Sequence, residues 1–338
     1  MPLFPRNIVC HCRLPRTLRF FSPAASPPPP PLPPLPLKFS RRRLKVASAV
    51  TLSSILAGLY YSYTTNNSSS TSLNTTTFTP YTLTSKTPIT SGPTQTTIFT
   101  LSPPSRSPTP PLPKLPLSAG ILSIQIKQPQ LQIARSYTPL PPCQNAELRF
   151  LIKREPGGEM SRYLYSLKEG DVVEIRGPGV EYVYPAQGNN KIVFIAGGTG
   201  IAPALQMAES LLLLQEGEGS GREAEILWAV RHKEEAFGAM KKEIDSLTKR
   251  VEAAGSGRKL VVRRFVDSEG GIGIRDVEAA IVTKGKKASV LVSGPEGFIA
   301  WIAGPKDLSG GGEEQGVLGG LLKSVARKKG CNIEVFKL

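Results

Sequence analysis

Acidic residues are missing from the first 146 positions of this 338-residue chain, which hold 14 Lys and Arg and reach their first carboxylate only at Glu147. The remaining positions carry 28 basic and 26 acidic side chains, so the formal charge of +16 lies almost entirely in the N-terminal segment. The C-terminal part is therefore nearly neutral and lacks the basic excess that is typical of nucleic-acid-binding domains. We predict no nucleic-acid partner.

Histidine and cysteine are also scarce. His11 and His232 are the only histidines, which excludes most histidine-based metal sites and, once an N-terminal presequence is removed, haem ligation by a histidine pair. Cys10 and Cys12 have no second cysteine pair to complete a zinc site. The sequence also lacks the G-x-S-x-G motif of many serine hydrolases. We predict no metal site and no hydrolase.

The acid-free N-terminus has the composition of a targeting segment. Its Arg-rich, Ser-containing start is typical of mitochondrial presequences, although a chloroplast transit peptide looks similar and a disordered basic tail is the simplest alternative. Residues 46–63 are uncharged and about long enough to span a bilayer, while a buried helix is the alternative. The basic cluster of residues 41–45 precedes this segment, so we expect the folded part across the inner membrane, in the intermembrane space.

Composition shifts divide the chain into five segments. The predicted segments are a mitochondrial presequence with a Pro-rich spacer (1–45), a single transmembrane helix (46–63), a Ser/Thr/Asn-rich linker (64–77), a β-barrel with a disordered Pro-rich insertion at 102–116 (78–188), and an α/β domain (189–338).

A glycine-rich turn lies at the centre of the last segment. The apolar run Ile192–Ala196 is interrupted by Gly197, Gly198, Thr199 and Gly200, and a helical pattern follows. Such a strand–turn–helix unit directs backbone N–H groups and the positive end of a helix dipole at a phosphate. The spacing is neither G-x-G-x-x-G nor a P-loop, and an ordinary tight connection is the alternative.

Patterns on either side of this turn indicate two kinds of sheet. Upstream, short Thr- and Ile-rich alternating runs are typical of an antiparallel barrel, and downstream, strands alternate with helices as in a parallel sheet. Arg135 and Tyr137 alternate in one upstream strand, so one face presents a cation and a ring. Ser161 is a candidate cap for a following helix whose first N–H groups form a second anion site.

Four motifs occur in a recognisable order: RSYTPL, GGEMS, GDVVEIRGP and FIAGGTGIAP. From about Phe78 onward the chain resembles the ferredoxin-reductase and cytochrome-b5-reductase superfamily. The resemblance implies an antiparallel β-barrel that binds FAD, followed by a Rossmann-like α/β domain that binds NADH or NADPH. It also implies an NAD(P)H-dependent FAD oxidoreductase.

The resemblance also assigns roles to individual residues. It implies that FAD is held by Arg135, Tyr137, Thr138, Pro139, Gly158, Met160 and Ser161. It implies that the pyridine nucleotide is held by Gly197, Gly198, Thr199, Gly200, Pro203, Gly294 and Pro295. The hydroxyl of Thr138 is expected near the flavin N5 region, and Ser293 stands where the family has a cysteine beside the nicotinamide, so Thr138 and Ser293 are the catalytic candidates.

Three further features bear on cofactor and acceptor. Arg231 and Lys233 follow a predicted strand and are either ligands for the 2′-phosphate of NADPH or solvated loop charges. Phe336, near the C-terminus, is the candidate for the aromatic residue that covers the flavin in the family. The basic segment 323–329 is either an acceptor-docking face or, as for most charge runs, a solvated helix face.

The sequence leaves three functions open. The presequence, membrane span, Ser293 and VFKL ending are together similar to fungal mitochondrial inner-membrane flavoproteins that assist haem attachment to cytochrome c, with haem or apocytochrome c as acceptor. A general NADH-cytochrome b5 reductase, which reduces a haem protein, is the first alternative. A non-enzymatic flavin-fold assembly factor with an inactive nucleotide site is the second.

Overall fold

The computed structural model describes residues 73–91, 95–103, 120–142, 147–184, 191–214, 222–255, 257–281, 288–307, 314–331 and 333–338. All of them belong to one compact unit, Thr65–Leu338. The predicted presequence, the predicted membrane helix and most of the predicted linker and Pro-rich insertion lie outside these ranges. Within them, no helix combines the length and apolar character that crossing a bilayer requires.

The first half of the unit is an antiparallel six-stranded sheet. Its strands are β1 (Thr79–Pro88), β2 (Thr96–Ser102), β3 (Gly120–Gln128), β4 (Ile133–Tyr137), β5 (Leu148–Lys153) and β6 (Val172–Val183). They are ordered β4-β3-β6-β1-β2-β5, and a bridge between Pro139 and Phe150 brings the end of β4 to β5. This confirms the antiparallel barrel, in a partly closed form. Helix α1 (Glu159–Ser166) packs against the sheet beside β3 and β4.

The second half is a parallel sheet flanked by helices. Its strands are β7 (Lys191–Gly197), β8 (Arg222–Val230), β9 (Arg258–Val266), β10 (Ala288–Ser293) and β11 (Ile333–Lys337). Its helices are α2 (Ile201–Glu209), α3 (Lys233–Phe237), α4 (Ala239–Ala253), α5 (Ile274–Ile281), α6 (Glu296–Ala303) and α7 (Gly320–Lys329). This confirms the predicted α/β domain.

The order of the parallel sheet locates its ligand edge. The strands run β11-β10-β7-β8-β9, so the direction of winding reverses between β7 and β10. In open α/β sheets, ligands bind beyond the carboxyl ends of the strands at this switch point. The segments that leave the two strands there are Gly198–Gly200 and Ser293–Pro295, both predicted to contact the nucleotide.

One hydrophobic core crosses from the barrel into the α/β domain. Barrel residues such as Ile121, Leu140 and Leu151 pack in the same cluster as Leu205 of α2 and Trp228 of β8. Two further clusters fill the barrel interior and the opposite face of the parallel sheet. The two halves therefore share buried surface, which fixes their relative position.

Candidate functional site

A cleft of about 840 Å³ opens between the barrel and the start of the α/β domain. Its volume lies within the range of small-molecule and cofactor sites. The predicted site residues that line it are Arg135, Tyr137, Gly158, Met160, Ser161 and Thr199. The first five come from the barrel and Thr199 comes from the glycine turn, so residues of both halves meet in one cavity.

Strand β4 forms one wall of the cleft. Arg135 and Tyr137 pair with Ile126 and Ile124 of β3 and both line the cavity, as their alternation predicted. The guanidinium of Arg135 is exposed, and its Nη1 donates to the Ala134 carbonyl at 3.0 Å. Burial raises the pKa of Tyr137 to about 12, against the opposing effect of the nearby Arg135 charge. The phenol is therefore neutral at physiological pH and offers an uncharged ring beside a cation.

The start of α1 forms a second wall. Gly158 is the N-cap of the helix, and a Cβ at this position would lie 2.7 Å from Ser161 Oγ. The prediction that Ser161 caps the helix is wrong, because Ser161 is the third helical residue and its hydroxyl holds the preceding turn. Ser161 Oγ accepts from the Glu155 backbone N–H and donates to the Gly158 carbonyl, each at 3.1 Å.

Among the residues that the structure describes, no side chain caps the start of α1 by a hydrogen bond. The first residues of α1, Glu159 to Ser161, line the cleft. The first backbone N–H groups of a helix have no intrahelical acceptor and attract anions. An uncapped helix start, an exposed arginine and a neutral ring supply the donors and the apolar surface that a dinucleotide requires. The residues present therefore fit FAD, whose pyrophosphate Arg135 and the start of α1 would hold.

The glycine turn is compressed against the segment that leaves β10. A Cβ on Gly200 would lie 2.4 Å from the Ser293 carbonyl oxygen. Gly294 has φ +154°, and a Cβ there would lie 3.1 Å from the Gly197 Cα. The two backbones are in direct contact at the switch point, so neither glycine has room for a side chain. Ser293 itself is 8% exposed.

Trp228 supports the glycine turn through a contact that the sequence did not reveal. Its side chain is 1% exposed in β8, and its indole Nε1 donates to the Gly198 carbonyl at 2.8 Å. Gly198 has φ +53°, a left-handed conformation that glycine adopts without strain. A buried indole N–H needs a hydrogen-bond acceptor, so a tryptophan in a buried strand indicates that an acceptor lies nearby. The sequence does not identify which residue supplies that acceptor.

The remaining predicted site residues are not among the residues that line the cleft. Thr138 and Pro139 directly follow β4, where Pro139 is buried and Thr138 is half-buried. Pro203 is buried in the first turn of α2, and Pro295 caps α6. Phe298 of α6 packs over the switch point, because a Cβ on Gly197 would lie 2.7 Å from its ring.

The structure also locates two C-terminal features that were named from the sequence. Phe336 lies in β11 and packs on Tyr182 with ring centroids 4.8 Å apart; it is not among the residues that line the cleft. Lys328 of α7 contacts Glu278 at 2.6 Å, so part of the charge of segment 323–329 is paired within the domain.

The cations after β8 are only partly available. Arg231 is exposed, whereas Lys233 pairs with Glu269, and this hydrogen bond raises the pKa of Lys233. A carboxylate at this place would also repel a 2′-phosphate.

Comparison with known proteins agrees with this geometry. Residues 80–184 match the oxidoreductase FAD-binding domain, and residues 194–303 match the oxidoreductase NAD-binding domain. An uncharacterized FAD-binding protein of Schizosaccharomyces pombe is 30% identical over 283 residues, which cover 84% of this chain and 94% of the relative. NADH-cytochrome b5 reductase 2 of Candida albicans is 30% identical over 207 residues, 58% of this chain and 64% of that enzyme.

A solved structure shows the same fold. The cytochrome b5 reductase domain of Ulva prolifera nitrate reductase superposes with a TM-score of 0.52 at 20% identity, covering 78% of this chain and 99% of that domain. The two domain matches, the relatives and the cleft agree on both cofactors and on the reaction class. The chain belongs to the ferredoxin-reductase and cytochrome-b5-reductase family and is an NAD(P)H-dependent FAD oxidoreductase.

Proposed function

We propose that this protein oxidises NADH and passes the electrons to a haem-protein acceptor. Bound FAD supplies the chemistry that accepts a hydride and releases electrons one at a time. The observation that carries the proposal is the cleft in which Arg135 and Tyr137 of the barrel meet Thr199 of the glycine turn. A hydride donor and its acceptor must be held next to each other, and this cavity is lined by both halves of the molecule.

The pairing of Lys233 with Glu269 supports the proposed preference for NADH. An arginine or lysine that accommodates the 2′-phosphate of NADPH must be available to it, and here one of the two candidate cations is already hydrogen-bonded to a carboxylate. The Candida albicans relative is named as an NADH enzyme, which also supports this choice.

A matched pair of variants tests the nucleotide preference. Glu269→Gln removes the carboxylate and frees Lys233, and we expect the ratio of kcat/KM for NADPH over NADH to rise by roughly 10-fold, the effect of about one charge-assisted contact. Glu252→Gln, at an exposed position on α4, is the control and should leave the ratio unchanged. An unchanged ratio in Glu269→Gln contradicts the assignment.

The haem acceptor is supported by the names of the relatives, which include cytochrome b5 reductases.

We propose the mitochondrial inner membrane as the location, with the folded domains in the intermembrane space, on the strength of the Arg-rich start and the uncharged segment 46–63. The finer proposal, support of haem attachment to cytochrome c, rests on the combination of that N-terminus with Ser293.

The acceptor is identified with the purified chain. After the visible spectrum establishes flavin content, NADH-dependent reduction is followed with cytochrome b5 and, separately, with haem and apocytochrome c as acceptors. Faster reduction of cytochrome b5 favours the general reductase, and faster reduction of haem in the presence of apocytochrome c favours the attachment role. Flavin that neither NADH nor NADPH reduces would support the assembly-factor alternative against the enzyme.

A further inference from the structure

We propose that Gln206 is a positioning residue that sets the nicotinamide-binding turn against the flavin-binding strand. Gln206 lies in α2, six residues after Gly200, and is only 3% exposed. Its Oε1 accepts from the backbone N–H of Leu122 at 2.6 Å, and its Nε2 donates to the carbonyl of Pro139 at 3.4 Å. One side chain of the α/β domain thus contacts two separate backbone segments of the barrel.

The contact with Pro139 lies where its position matters for the reaction. Pro139 immediately follows Arg135, Tyr137 and Thr138, the residues predicted to hold FAD. Helix α2 begins directly after the glycine turn, so Gln206 is joined to that turn by less than two turns of rigid helix. The amide therefore links the end of the flavin strand to the start of the nucleotide helix.

The chemistry of the buried amide explains why this link is specific. A glutamine amide has a donor and an acceptor, and leaving either one unpaired in the interior is costly. A shift of α2 along the barrel would break both bonds and leave the Leu122 N–H without its acceptor. The amide is thus satisfied in one relative position of the two domains.

Two other described contacts join the barrel to the α/β domain, but neither links the segment after β4 to the helix that follows the glycine turn. Ser210 Oγ, one turn further along the same face, donates to the Gly120 carbonyl at 3.3 Å. Arg149 and Glu243 form a two-bonded ion pair, each bond 2.8 Å, that is partly exposed. Because these contacts and the shared hydrophobic core remain, loss of Gln206 should alter the alignment of the domains and leave them docked.

The consequence concerns the transfer of the hydride from the nicotinamide and is independent of the acceptor. Displacement of reacting groups by about 1 Å reduces the rate by roughly 100-fold even when binding persists. We expect Gln206→Met, which keeps the length of the side chain and removes both hydrogen bonds, to lower the single-turnover rate of flavin reduction by NADH roughly 10- to 100-fold. Flavin content and the Kd for NADH should change by less than about 3-fold.

Two companion variants define the cause. Gln206→Glu keeps an oxygen that accepts from Leu122, so its reduction rate should lie between those of the Met variant and the parent. Ser210→Ala removes a neighbouring interdomain hydrogen bond, made by the residue that follows α2, and should change the rate by less than about 2-fold, because its acceptor is Gly120 of β3 and not the segment after β4.

Amide hydrogen exchange supplies a readout that does not depend on turnover. The Leu122 N–H should exchange faster in Gln206→Met and remain protected in Ser210→Ala. Faster Leu122 exchange with an unchanged reduction rate would overturn the proposal, since Gln206 would then only stabilise the interface. Equal losses of flavin, nucleotide binding and rate would overturn it as well. If Gln206→Met does not fold, the same split between rate and Kd in Gln206→Glu decides the question.

Discussion

The two halves of the site are built in opposite ways. The flavin half presents side chains on an open wall, where Arg135 is exposed and Tyr137 is half-buried. The nucleotide half is made of backbone pressed against backbone, with only 2.4 Å between the place of a Gly200 Cβ and the Ser293 carbonyl oxygen. Mutation of one side chain in the flavin half removes one contact and should lower FAD affinity moderately. An added side chain in the nucleotide half displaces the whole turn and should lower NADH affinity strongly.

The halves also differ in their aromatic residues. Every tyrosine after residue 63 lies in the barrel, at positions 81, 137, 163, 165, 182 and 184, and both tryptophans, Trp228 and Trp301, lie in the α/β domain. Buried phenols make the barrel sensitive to alkaline pH, and the α/β domain carries no group of this type. The barrel is therefore expected to be sensitive to alkaline pH, and the α/β domain to side chains added at its glycine turn.

The largest expected effect comes from Gly200→Ala. The added methyl group would meet the Ser293 carbonyl, so the turn must move, and we expect NADH affinity to fall by more than about 100-fold while FAD stays bound. Titration of the flavin-loaded variant with NADH measures this. The control is Gly297→Ala, where nothing lies within 4 Å of the added Cβ, and its affinity should be unchanged. Normal NADH binding by Gly200→Ala would show that the turn is less rigid than its contacts indicate.

Alkaline pH should unfold the barrel before the α/β domain. Burial raises the pKa of Tyr81, Tyr137 and Tyr182 to about 12. Because the folded pKa exceeds the unfolded value near 10, the associated stability is complete below pH 10 and is lost as pH rises from 10 to 12, at most about 3 kcal/mol per buried phenol.

Tyrosinate absorbance and circular dichroism followed from pH 9 to 12.5 would measure this transition. Tyr137→Phe removes one of the titrating phenols and should move the midpoint to higher pH, whereas Tyr163→Phe, on the partly buried face of α1, should move it less. An α/β domain that unfolds first would contradict the assignment of the alkaline weakness to the barrel.

Arg135→Ala should weaken FAD binding by degrees. Loss of one guanidinium–phosphate contact corresponds to about 1.5–3 kcal/mol, or roughly 10- to 100-fold in Kd, and Arg135→Lys should fall between the variant and the parent. Flavin release on dilution measures the change. Arg162→Ala is the matched control, because Arg162 is exposed on α1 and, unlike its ion-pair partner Glu159, is not among the residues that line the cleft. Equal loss of FAD in both variants would indicate a general charge effect.

Trp228→Phe should have the smallest effect. It keeps a buried ring and leaves the Gly198 carbonyl without its indole donor, which costs about 1 kcal/mol and should raise the Kd for NADH by about 5-fold. Trp301→Phe is the control, since Trp301 is 47% exposed on α6. Isothermal titration with NADH compares the two. A larger loss in Trp301→Phe would show that α6, and not β8, supports the turn.

Local patterns were sufficient to predict much of this molecule. The strand, turn and helix around Gly197–Gly200 and the common face of Arg135 and Tyr137 follow from periodicities of a few residues. The order of the four motifs then predicted that a β-barrel is followed by a domain with a parallel sheet. Ser161 was misassigned because a hydroxyl near a helix start can either cap the helix or hydrogen-bond to the preceding turn. Which of the two occurs depends on the residue at which the helix begins.

Long-range contacts could not be predicted. Trp228 and Gly198 are 30 residues apart, and Gln206 reaches Leu122 across 84 residues. A buried polar residue signals that a partner exists, but the partner is selected by the packing of the two domains. The same holds for Lys233, whose carboxylate partner comes from the turn after β9.

The indole of Trp228 lies where its fluorescence should report nucleotide binding. Tryptophan emits light in the band where reduced nicotinamide absorbs, and this indole is hydrogen-bonded to the turn predicted to hold the dinucleotide. Excitation of the protein should therefore transfer energy to bound NADH, while Trp301, which is exposed, should respond to soluble quenchers such as iodide. The natural chain thus contains an optical reporter of nucleotide occupancy and needs no attached dye.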